Sequence, residues 1–134
     1  MLDIKYGVNL TIPGGPQFSI SNQALQIEVY KHFSITLNAT QPKEQITLND
    51  AKKLNLLSVK ATSTLAKDSL SKLTYAIDTG KFVELDAPIL MLGSWVNFII
   101  PDSMKMSFEL KPKPADGSND SITVDIIVGW AEAD

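Results

Sequence analysis

Apolar residues recur on alternate positions in segment after segment of this chain, and that period of two is what a strand with one buried face imposes on a sequence. Ile4, Tyr6, Val8, Leu10 and Ile12 alternate with Lys5, Asn9 and Thr11. Leu25, Ile27, Val29, Phe33, Ile35 and Leu37 hold odd positions, with Lys31 as an interruption on the apolar side. Leu73, Tyr75 and Ile77 repeat the pattern, as do Met104, Met106, Phe108 and Leu110. Ile122, Val124, Ile126, Val128 and Trp130 close the set, a strand of about 30 Å at the usual rise. A charge at Lys31 on the inward parity predicts a bulge, an edge, or two strands meeting there, with bulge or edge preferred.

Turn chemistry separates these segments. Pro13-Gly14-Gly15-Pro16 ends the first. Asp78-Thr79-Gly80-Lys81 predicts a hairpin with Gly80 in positive φ, returning through Phe82, Val83 and Leu85. The stretch 38–44 reads as a polar connector before a short strand at Ile46 and Leu48, and 111–121 as an exposed loop. Two places leave a helix open. Asp50 is able to cap Ala51–Leu57, where Ala51, Leu54 and Leu57 have i, i+3 spacing, although Ser58–Thr62 favours a strand. Leu65–Leu70 fits either one helical turn or a loop. The fold class expected is all-β: an antiparallel two-sheet sandwich or jelly-roll-like barrel of about eight strands, with at most one short helix. No repeat or internal boundary divides residues 1–134, so one domain is expected.

The densest apolar run, Phe82 to Pro101, carries Glu84, Asp86, Pro88, Gly93, Ser94 and Asn97, too many interruptions for a membrane helix of about 20 apolar residues. It predicts strands covered on both faces, with Pro88 and Pro101 at strand starts or edges where a lost donor is tolerated. Ala87 to Pro101 holds more apolar side chain than a strand pair needs to hide, which points to a subunit contact.

All 12 basic residues are lysine and the formal net charge is −3. Without arginine the planar fork that reads guanine and phosphate is missing, and the lysines are scattered, so nucleic-acid binding is not expected. With no cysteine there are no disulfides, thiolate metal sites or thiol nucleophiles. The N-terminus has no apolar segment behind a basic one, so no signal peptide is expected. A cytoplasmic or virion-associated location follows as the expectation, without membrane insertion.

Leu54–Ser63 (LNLLSVKATS), Leu73–Gly93 (LTYAIDTGKFVELDAPILMLG), Met104–Pro112 (MKMSFELKP) and Ser121–Trp130 (SITVDIIVGW) together resemble, in the rhythm of their strands, small β-sandwich accessory domains of phage particles. The resemblance spans Leu54 to Trp130. It implies a non-enzymatic structural role in a symmetric oligomer and carries over no functional residue.

Sites of chemistry are sparse. His32 is the lone histidine, and a serine triad would have to use it, yet no G-x-S-x-G elbow exists. Burial of His32 against a carboxylate in a cleft would argue for catalysis. Glu84 and Asp86 share a strand face, too close together to flank a sugar from opposite sides. Asp116, Asn119 and Asp120 concentrate oxygen in one loop and are weak calcium candidates, lacking the order of an EF-hand loop. No catalytic residue and no cofactor are expected. The interface or binding candidates are Trp95, Trp130, Phe98 and Met91. The leading expectation is a self-assembling structural protein, a trimer or ring, with other structural proteins as further partners. A carbohydrate-binding module using exposed aromatics is the alternative, and an enzyme the third.

Overall fold

In the computed structural model, which describes residues 2–48, 54–93 and 105–130, the chain is built of strands and turns alone. Ten strands follow in order: β1 Leu2–Thr11, β2 Gln17–Ile27, β3 Val29–Asn38, β4 Lys43–Thr47, β5 Leu54–Ala61, β6 Lys72–Ile77, β7 Val83–Glu84, β8 Ile89–Leu92, β9 Lys105–Lys111 and β10 Ser121–Trp130.

Eight of them make a sandwich of two antiparallel sheets with the orders β3-β10-β5-β8 and β4-β9-β6-β7. β6 pairs β7, β5 pairs β8, β4 pairs β9 and β3 pairs β10, a single long hairpin folded about the β6–β7 turn and then rolled. Rolling adds the pairs β10·β5 and β9·β6. This is the jelly roll, which closes two sheets over one core. The even residues of β10 and β9 and the odd residues at the C-terminal end of β3 point inward, so Phe108, Met106, Leu110, Ile126, Val124 and Leu37 lie wholly or almost wholly out of water. Against water, burying each such side chain is worth about 1.5–3 kcal/mol, and their alternation with polar neighbours is why these segments settle as strands.

The remaining pair, β1 and β2, forms a separate two-stranded ribbon joined to the jelly roll at Glu28. The described residues thus hold ten strands where about eight were expected. The long odd-position alternation around Lys31 is two strands, but they meet at Glu28, three positions earlier than the charge. Lys31 itself sits on β3, an edge strand, with its ammonium 5.7 Å from the Trp130 ring centre. An edge lets a long side chain leave the inward row and reach solvent.

Several local expectations shift. Positive φ in the β6–β7 turn belongs to Asp78 (φ 52°), while Gly80 is required for closeness: a Cβ there would stand 2.8 Å from the Ile77 carbonyl oxygen, which accepts the Gly80 N–H. The Asp78 carboxylate is fixed by the backbone N–H of Lys105 at 3.0 Å. The polar connector is shorter than expected, since β4 already begins at Lys43. Leu65–Leu70 contains a turn closed by the Ser69 N–H on the Ala66 carbonyl and no helix. Leu54–Leu57 belongs to strand β5; Asp50 to Lys53 lie outside the described residues. β8 starts directly after Pro88, as a missing donor requires, but it is an edge strand and Leu90 is half exposed, so it is not covered on both faces as expected.

Candidate functional site

The ribbon is the most unusual surface of the described chain. Register places Leu10 opposite Phe18, Val8 opposite Ile20 and Ile4 opposite Leu25, and directly opposed residues of an antiparallel pair share a face. One face thus carries these three apolar pairs, with Tyr6 opposite Gln23 between the second and the third. In sequence the apolar parity of β2 switches between Ile20 and Leu25, and a bulge between Tyr6 and Val8 absorbs the switch, keeping both sets on the same side. That parity change hides β2 from a period-two reading.

At its base the ribbon is anchored. Ile27 is fully buried, and the backbone N–H of Glu28 donates to the Trp130 carbonyl at 2.9 Å. Gly129 makes the seat: a Cβ on it would lie 2.9 Å from Ile27 Cδ1 and 3.3 Å from Leu56 Cβ. Toward the turn the apolar face opens to water, with Leu10 56%, Ile12 55% and Phe18 53% exposed. Between Lys5 and Glu28 the sequence contains no charged residue. That uncharged span is the signal by which the ribbon was detectable from sequence, because depletion of charge marks the centre of protein interfaces.

A second feature lies at the other end of the sandwich. Leu65, Leu73, Leu85, Ala87, Pro88 and Ile122 line a hollow of about 310 Å³ between the two sheets, with Ser63, Thr64 and Asp86 also on its wall. β10 separates the two features: the ribbon joins beside Trp130, and the hollow opens beside Ile122.

Among the described residues, those singled out from sequence do not converge on a reaction site. Trp130 points inward and is only 7% exposed, which takes its ring away from any ligand at the surface. Met91 is half-buried and packs on the core from β8. Trp95 and Phe98 lie outside the described residues. His32 Nε2 does meet Asp125 Oδ1 at 3.2 Å, but on the outer face of β3 and β10, with side-chain exposures of 52% and 32%. An open sheet face supplies no cleft to exclude water. Glu84 ends β7 and pairs loosely with Lys72 at 3.9 Å, while Asp86 has left the strand for the rim of the hollow.

Two of the calcium candidates have separate partners. Asp116 pairs with Lys113 at 3.8 Å. Asp120 Oδ2 accepts the Ser69 hydroxyl at 2.7 Å, and its own N–H donates to Ser118 Oγ. Asn119 is exposed. Among the described residues no group of three or more His, Cys, Asp or Glu could hold a metal ion, and no helix is long and apolar enough to cross a membrane.

No family model, curated protein or solved structure matches this chain.

Proposed function

We propose that this protein is a non-catalytic structural subunit that works by assembling with copies of itself, a particle component of the phage kind whose strand rhythm it resembles. The observation that carries the reading is the ribbon: an isolated two-stranded hairpin is marginal in water, yet this one holds Leu10, Ile12 and Phe18 more than half exposed on an uncharged surface. Covering those three side chains would remove on the order of 250 Å² of apolar area from water, about 6 kcal/mol of gross transfer free energy. A surface of this kind is far more use to a partner than to the monomer.

The jelly roll hosts capsid subunits, lectins and cupins alike, so the fold by itself does not choose among roles. The carbohydrate reading needs ring faces in water near polar groups. Trp130 lies in the core, and among the described residues the exposed aromatic rings Phe18 and Tyr30 stand on different sheets.

Light scattering over a hundredfold range of concentration tests the reading. The wild type is expected to form multimers of discrete or growing mass, and the L10D/F18D double variant to remain monomeric with an unchanged urea midpoint. A wild type that stays monomeric throughout would refute self-assembly.

A further inference from the structure

The ribbon tip is one half of a contact, and the fold offers the other half. We infer that the tip of one copy seats in the hollow between the sheets of the next, so that copies of this chain join head to tail; the inference rests on the self-assembly reading above.

Position comes first. The ribbon joins the jelly roll at the Trp130 end of β10, and the hollow opens at the Ile122 end, about 27 Å away at strand rise. A donor at one pole and an acceptor at the other make a heterologous contact, which propagates into a ring or an open filament rather than closing as a two-fold dimer. Within a single copy the seat is not taken by its own ribbon, because Leu10, Ile12 and Phe18 are all more than half exposed. Nor does the ribbon lie back over the sheet that carries β10, since His32, Ser34 and Lys60 on that outer face remain exposed.

Size and chemistry agree. An apolar cavity of about 150 Å³ accepts a benzene molecule, so the hollow of about 310 Å³ has room for the Phe18 ring together with its cross-strand neighbour Leu10. The hollow is walled by aliphatic side chains, as these two require. On the other face of the ribbon tip, Asn9, Thr11, Gln17 and Ser19 present amides and hydroxyls. They meet a rim of Ser63, Thr64 and Asp86 with hydrogen-bond donors for the carboxylate and no like charge.

The competing arrangement is two ribbons laid apolar face to apolar face, which would close a dimer. Three proteins separate the cases: wild type, the ribbon variant L10D/F18D, and the blocked variant A87W, in which an exposed wall residue fills the hollow. T64R is a second blocked variant at another exposed position. Each blocked variant should keep the wild-type urea midpoint and raise the apparent dissociation constant about thirtyfold or more, the effect of losing a central contact. The decisive measurement is a mixture of L10D/F18D with A87W. Each keeps the half that the other lacks, so the expected result is a 1:1 dimer, seen by light scattering and native mass spectrometry, from two proteins that are monomeric alone. Blocked variants that assemble like the wild type, or a mixture that yields no 1:1 dimer, would overturn the hollow as the acceptor while leaving self-assembly standing. A monomeric wild type would overturn both.

Discussion

Gly129 is where the ribbon is fastened, and adding one methyl group there tests the fastening. A Cβ at this position would sit 2.9 Å from Ile27 Cδ1, 3.3 Å from Leu56 Cβ and 3.4 Å from Ile27 Cγ2, against an optimal carbon–carbon separation of about 3.5–4.0 Å. Overfilling a packed site in this way costs about 1–3 kcal/mol, and replacing glycine by alanine in a strand returns about 0.5–1 kcal/mol of backbone entropy. Because the closest atom is the free end of the Ile27 side chain, G129A should destabilise by about 1 kcal/mol net. Ile27 is fully buried, so I27A should cost about 2–5 kcal/mol. In the I27A background two of the three close contacts no longer exist, and G129A should become neutral or slightly stabilising. The double-mutant cycle in urea should therefore show a coupling of about 1–2 kcal/mol. Cleavage of the Pro13–Pro16 turn by a nonspecific protease should quicken in either single variant, since the loss is felt first by the ribbon. Equal cost of G129A with and without Ile27 would refute the reasoning: the methyl would then be colliding with Leu56 and the sheet, and the ribbon would be held elsewhere.

Three further outcomes follow from the same geometry. F108A, at a wholly buried ring in the centre of β9, should lower stability by about 3–5 kcal/mol, enough to bring a domain of ordinary stability close to unfolding at 25 °C; a loss under 1 kcal/mol in a urea melt would contradict the core assignment. H32A should change stability by less than about 1 kcal/mol, because an exposed ion pair is screened by water, and assembly measured by light scattering should be unaffected; a larger loss would mean that the outer face of β3 and β10 is covered in the working state. One millimolar calcium against EDTA should leave the melting temperature unchanged, since Asp116 and Asp120 are engaged with Lys113 and Ser69; a saturable rise would show that the loop rearranges to bind the ion.

The jelly roll also explains how so little charge is tolerated in the ribbon. The sandwich hides its apolar rows in one core, with Lys43, Lys60, Lys72 and Lys105 in the outward rows of its strands, where they keep the surface soluble. The ribbon is outside that arrangement. Its apolar face has the same alternation as β10 but no second sheet opposite.

Period-two alternation by itself determined that this chain is made of strands, and it located β1, β3, β6, β9 and β10 and the inward parity of each. It did so because a pleated strand sends successive side chains to opposite faces, so one buried face writes itself locally into the sequence. Gln17–Ala24 escaped because the bulge changes parity, and Asp78 rather than Gly80 took the positive φ because the Lys105 N–H holds its carboxylate. What only the tertiary structure decided is which strands lie side by side and which apolar rows find cover. Val29 and Trp130 are paired across some hundred residues of chain, and no local pattern encodes a partner that distant. Leu10 and Ile12 are written in the same rhythm as Ile122, Val124 and Ile126, yet one set ends in water and the other in the core. Alternation states that a face is apolar; whether that face is buried depends on what the rest of the molecule, or the next molecule, places against it.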